Sequence, residues 1–144
     1  MTLQDFTGET GADAPFAGLP AGTEMSHVQL KVTDAELQDS EPFYTDLLGF
    51  DVQGRLGQMF LAVGVHQHRA LLVVTNRFST GPAGPPLGDS AQLIAVDLLV
   101  SSADQLQVLA ERLAAASWPH TLAGSTLTVS DPSGNVLCFR AETV

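Results

Sequence analysis

Basic residues are scarce in this chain: six Lys and Arg stand against sixteen Asp and Glu, a formal net charge of −10. A surface of that sign repels phosphate backbones and anionic bilayers, which argues against nucleic-acid and membrane partners and suits a soluble protein. Cysteine is nearly missing. The single Cys138 excludes an internal disulfide and fits a reducing compartment. No apolar run approaches the ~20 residues needed to span a bilayer. The longest candidate, 93–100, is strand-sized and interrupted by Asp97. The N-terminus lacks a basic stretch followed by an apolar one, so no secretion signal is expected and the expected location is cytoplasmic. What is present is globular in character: 144 residues, 44% hydrophobic and 15% charged, enough volume for one domain with a real core.

Residues 1–24 read as a leader of Gly, Ala, Pro, Thr and acidic residues, with Phe6 and Phe16 available to dock it. From Ser26 the pattern changes. His27, Gln29 and Lys31 alternate with Val28, Leu30 and Val32, a period of two that marks a strand over 26–32. A connection over 33–40 is expected next, then a short helix over 42–48 with Ser40 as its cap and Pro42 in its first turn. Phe43, Leu47 and Phe50 would share one face, and Gly49 is the expected stop. Strands are expected over 50–55, 58–63 and 70–75, the first two flanking a turn at Leu56–Gly57. Residues 79–90 hold three Pro and three Gly in twelve positions and read as a linker.

Beyond that linker the order begins again. A strand is expected over 93–100 and a helix over 103–116, capped by Ser101 or Ser102, with Leu106, Leu109, Ala110 and Leu113 on one stripe. Strands over 120–122, 126–130 and 136–140 complete the set, and Asp131-Pro132-Ser133-Gly134-Asn135 has the chemistry of a tight turn. The fold class is therefore α+β, built from two βαβββ modules with a period of about sixty-six residues. Their expected bounds are 25–79 and 92–144, with the linker at 80–91, within one domain over 25–144. Pairing two such units would bury their apolar faces and enclose a cupped half-barrel, and a cavity in that cup is where function would sit.

Three phrases carry a resemblance: Ser26-His27-Val28-Gln29-Leu30-Lys31-Val32, Phe43-Tyr44-Thr45-Asp46-Leu47-Leu48-Gly49-Phe50, and Asp131-Pro132-Ser133-Gly134-Asn135. Together they resemble the signature of the vicinal-oxygen-chelate superfamily, which holds glyoxalases, bleomycin-resistance proteins and extradiol dioxygenases. The likeness spans 25–142 and is strongest to the N-terminal half of catechol 2,3-dioxygenase-like proteins, with Gly64-Val65-His66-Gln67-His68 and the Pro-rich 81–86 adding to it. The resemblance implies a divalent-metal site formed by side chains of the first and last strands of each module. Carried over position by position, the ligands fall on His27, near Ala70, on Ala95 and on Cys138. Alanine offers no donor atom, whereas an ion needs three or four His or carboxylate ligands. Antibiotic-binding members of the superfamily work by sequestration without metal.

Three readings follow. In the leading one the protein binds a small hydrophobic or aromatic molecule in the cup, needs no cofactor, and uses His27, Asp97, Cys138, His66 and His68 for orientation. In the alternative it is a metal-dependent dioxygenase-like or isomerase-like enzyme, its site rebuilt for Fe, Mn, Ni or Zn around His27 with His66, His68 or Asp97. His66 and His68 are spaced i, i+2, so on an extended segment both would face one side. In the third it is an interaction module whose open strand edges support a homodimer. Asp97 is the odd charge in its strand and is expected to share the Ala95 side and point inward. Cys138 lies in an apolar strand, as a small buried hydrophobe would. His120 next to Trp118 reads as edge packing, and Phe43 and Tyr44 read as core. No Ser-His-Asp arrangement or Gly-rich phosphate loop is present.

Overall fold

In a computed structural model the described residues are 17–32, 34–65, 70–76 and 91–142. The histidines His66 and His68, the residues Phe6 and Phe16, and almost all of the Pro/Gly linker lie outside them. Two sheets of identical strand order account for the architecture. The first contains β1 (Val28–Lys31), β2 (Asp51–Leu56), β3 (Phe60–Gly64) and β4 (Ala70–Thr75), in the order β1-β4-β3-β2. The second contains β5 (Val96–Val100), β6 (His120–Ala123), β7 (Thr126–Ser130) and β8 (Val136–Ala141), in the order β5-β8-β7-β6. In each, the outer strand pairs in parallel with the last strand of its module and the other pairings are antiparallel. The repeat inferred from element order is thus present in strand order and pairing direction.

Alternation along the strands assigns the faces. Leu30, Leu61, Val63, Leu72 and Val74 turn inward from the first sheet, and Val96, Leu127, Val129, Leu137 and Phe139 from the second, all of them buried. They join α1 (Asp34–Pro42) and α2 (Ala103–Ala115) in one continuous core through Leu37, Leu106, Leu109, Ala110 and Leu113. Each large apolar side chain so buried contributes roughly 1.5–3 kcal/mol. The opposite faces stay accessible: Gln29, Lys31, Asp97, Leu99 and Arg140 are exposed. One face of each sheet is therefore buried against the helix of its own module, and the other stays open.

The second helix forms as its stripe foretells. Ser102 is the cap, its hydroxyl accepting from the Gln105 amide at 3.2 Å, which satisfies one of the unpaired first-turn donors. The first helix does not. It begins at Asp34, so the expected connection over 33–40 is largely helical, Pro42 closes α1 instead of opening a helix, and Ser40 is a fully buried helical residue rather than a cap. Leu37, Ser40 and Tyr44 recur at i, i+3, i+7 and form its buried face, a stripe that a serine conceals from hydropathy. Pro42 can neither donate in the helix ladder nor avoid crowding the carbonyl four residues back, and the next turn, Phe43–Leu47, widens to π geometry. Leu48 N–H then bonds Phe43 O at 3.0 Å, and Gly49 ends the helix at φ +82°. Strand β5 is also shorter than expected. Val96 already pairs with Leu137, and β8 begins only at Val136 after the tight turn. In that register 93–94 fall beyond the start of β8, and Leu93 and Ile94 are exposed.

Among the described residues, aromatic contacts and hydrogen bonds tie the modules. Phe43 meets Trp118 with ring centroids 5.0 Å apart, and Phe50 meets Phe139 at 6.5 Å. Arg112 Nη1 donates to Leu47 O at 3.2 Å, and Asn135 Nδ2 to Lys31 O at 3.2 Å. Tyr44 Oη donates to Asp131 Oδ2 at 2.9 Å, inside the core. Among the described residues no helix is long and apolar enough to cross a membrane.

Candidate functional site

Of the residues singled out from the sequence, His27, Asp97 and Cys138 lie toward the open faces of the two sheets, and His66 and His68 are outside the described residues. His27 immediately precedes β1 and is exposed. Its Nδ1 lies 3.1 Å from Ser26 Oγ and its Nε2 3.5 Å from Gln29 Nε2. Ala70 starts β4 opposite Gly64, and Ala95 stands one residue before β5; both are half-buried. Asp97 and Cys138 are direct register partners, so their side chains share one face. Thr128 is Cys138's partner on the other side, its Oγ1 3.8 Å from the half-buried Cys138 thiol. Asp97 is not a lone carboxylate: its Oδ2 lies 3.4 Å from Arg140 Nη2, with both side chains more than half exposed. Pairs of this exposure contribute little stability. Among the described residues, no three His, Cys, Asp or Glu side chains gather closely enough to share an ion.

A crevice of about 480 Å³ opens elsewhere, between the modules. Leu48, Gly49 and Phe50 supply one wall from the end of the first helix, with Val65 and Leu71 from the ends of β3 and β4. The second module supplies Leu98, Leu99, Val100 and Phe139, together with a face of α2 formed by Asp104, Gln105, Val108, Leu109 and Arg112. Its size falls within the range of small-molecule pockets, and its walls are mainly apolar with a few polar groups, as such pockets are. None of His27, Asp97 and Cys138 lines it. Sequence reasoning missed the crevice because its lining is ordinary core-type Leu, Val and Phe. The available signal was Val108, an apolar residue on α2 outside the Leu106–Leu109–Leu113 stripe, which is 53% exposed.

Two of the three sequence phrases serve the fold. Tyr44 donates to a carboxylate that is itself fully engaged. Asp131 Oδ1 accepts from the Ser133 and Asn135 amides at 2.9 and 2.8 Å, and Oδ2 from Asn135 Nδ2 at 2.9 Å. Burial, and then the negative charge of Asp131 and their shared hydrogen bond, push the Tyr44 hydroxyl well above its ordinary range.

These features define a class: two βαβββ modules docked through their helices and sheet faces, with an apolar crevice where they meet. No family model matches the chain. In sequence it is similar to a catechol-2,3-dioxygenase of Bacillus subtilis (strain 168), 27% identical over 135 residues, covering 91% of this chain and 46% of that protein. The chain thus spans about half the length of that relative. In structure it is similar to a glyoxylase/bleomycin resistance protein/dioxygenase domain from Frankia sp. EAN1pec, with a TM-score of 0.61 at 24% identity, covering 84% of this chain and 93% of that one. It is also similar to TnmS3, an antibiotic binding protein from Streptomyces sp. CB03234, with a TM-score of 0.58 at 21% identity, covering 84% and 99%. The fold is that of glyoxalase/bleomycin resistance/dioxygenase proteins, and the sequence likeness to a catechol-2,3-dioxygenase supports the vicinal-oxygen-chelate resemblance.

Proposed function

We propose that the protein binds a small, largely apolar aromatic molecule in the crevice between its modules, without a catalytic metal. The carrying observation is the crevice itself, of about 480 Å³, walled by Phe50, Phe139, Leu71, Leu98 and Val108. A ring placed there would exchange water for aromatic and aliphatic contacts, each buried CH2-sized group contributing about 0.8 kcal/mol. The antibiotic-binding protein of the same fold is consistent with binding of a small molecule.

The donor set at the superfamily's ligand positions does not fit a divalent ion. Ala70 and Ala95 have no donor atoms, His27 has neighbours that are an alcohol and an amide, and the Cys138 thiol lies against Thr128. A site rebuilt with Asp97 would first have to separate that carboxylate from Arg140. His27, Asp97 and Cys138 remain placed to meet polar groups of a ligand extending across the open faces.

The test is isothermal titration calorimetry against one- to three-ring aromatic compounds, naphthol among them. Saturable binding is expected in the wild type, and in Val108→Trp, whose indole would occupy the crevice, that binding should be lost. Val108 is half-exposed, so the larger ring does not have to be forced into the core. The reading fails if no compound saturates, or if Val108→Trp binds as the wild type does.

A further inference from the structure

We infer that the crevice selects a small aromatic carboxylate, its rings between the modules and its anionic group on Arg112; this rests on the crevice being the ligand site proposed above. The α2 residues that face the crevice, Asp104, Gln105, Val108, Leu109 and Arg112, follow the spacing of one helical side. That side is graded: polar in its first turn, apolar in the middle, cationic in its last. Eight residues separate the two polar ends, which at 1.5 Å per residue places them about 12 Å apart. A two-ring acid with a hydroxyl on its far ring has about this reach.

The cation is held in place at its end of the crevice. Arg112 Nη1 donates to Leu47 O at 3.2 Å, and Gly49 leaves the space for it, since a Cβ there would stand 2.8 Å from that nitrogen. That bond uses one of the five N–H donors of a guanidinium. The remaining donors form a fork suited to a planar carboxylate. The other described arginines are already matched, Arg55 to Glu41 and Arg140 to Asp97. Among the described residues Arg112 meets no carboxylate. At the opposite end Gln105 Oε1 accepts from Ser101 Oγ at 2.8 Å, leaving its amide N–H groups to donate beside the acceptor Asp104. A hydroxyl needs such a donor and acceptor together. The charge of Asp104 lies more than a Debye length from an anion on Arg112 at physiological salt. In a chain of net charge −10 the overall field discourages anions, so their retention would depend on this one guanidinium.

Isothermal titration calorimetry of the full chain with 6-hydroxy-2-naphthoate, 2-naphthol and 2-naphthylmethylamine separates the possibilities. The naphthoate is expected to bind roughly tenfold or more tightly than the naphthol, the scale of one charge-assisted hydrogen bond, and the amine most weakly. In Arg112→Gln the acid should lose roughly tenfold or more in affinity and its preference over naphthol should vanish, and Arg112→Lys should keep part of that preference. Equal wild-type affinities for acid and naphthol, or a preference that survives in Arg112→Gln, would overturn the anion selectivity and leave the crevice as a ligand site. If none of the three compounds binds, the proposed crevice function falls as well. Should Arg112→Gln not fold, the wild-type comparison of acid and naphthol decides alone.

Discussion

Tyr44 and Asp131 lie 87 positions apart in sequence and meet at 2.9 Å in the core. Their pairing explains why two of the three phrases that carry the resemblance are structural. A buried carboxylate is costly unless its lone pairs are used, and here the backbone amides of its own turn, Asn135 and the Tyr44 hydroxyl use them. Removing that hydroxyl in Tyr44→Phe is expected to cost about 1–3 kcal/mol, measured by urea denaturation. The pair also predicts an alkaline limb. Burial and the neighbouring Asp131 raise the Tyr44 pKa in the folded state, so the native protein keeps a proton that the unfolded chain releases near pH ~10. The contribution of Tyr44 is complete below that pH and declines as pH rises above it. Denaturation curves from roughly pH 9 to 11 should steepen in their pH dependence for the wild type and flatten in Tyr44→Phe. Equal slopes would count against the assignment.

At the scale of elements, the two helices show what local pattern can carry. The second announces itself with Ser102 before a four-residue apolar stripe, and it forms where expected. The first has Leu37 as its single large apolar residue and buries Ser40 beside it, so a 3.6-residue period is invisible until the sheet is in place beneath it. Pro42 misleads for the same reason: it is a common first-turn residue, yet here it ends one helical segment and the chain continues in a wider turn. Gly49 then stops the helix at φ +82°, a conformation that costs a side-chain-bearing residue about 1–2 kcal/mol. Gly49→Ala should lose about that much stability in chemical denaturation. Most of the loss should persist in the Gly49→Ala, Arg112→Ala double variant. Its Cβ no longer meets the guanidinium, but the backbone strain remains. Full recovery in the double variant would show that crowding of Arg112, not φ, is the cause.

For the whole molecule, the docking of two modules creates the crevice, and no segment of either contains it. Of the polar candidates, Asp97 was visible in the sequence as the odd charge in its strand, and His27 and Cys138 through the ligand positions that the resemblance assigns them. The crevice residues were not, because Leu71, Phe50, Leu98 and Phe139 look like core until the opposing wall is known to stand off from them. The donor set at the superfamily's metal positions leads to a further expectation. Protein loaded with Fe, Mn, Ni or Zn and then desalted should retain well under stoichiometric metal by elemental analysis, and His27→Ala should change nothing. Stoichiometric metal in the wild type that is lost in His27→Ala would replace the sequestration reading with a rebuilt catalytic site.

The order of elements, the inward faces of the strands, the α2 stripe and cap, and the tight turn at 131–135 were all set by local pattern, because alternation and helical period act between residues a few positions apart. Which module surfaces meet was decided only by the tertiary structure. The Tyr44–Asp131 bond, the Arg112–Leu47 contact and the crevice join residues separated by dozens of positions. Their geometry comes from how two preformed layers pack together, a rigid-body fit that no short window of sequence encodes.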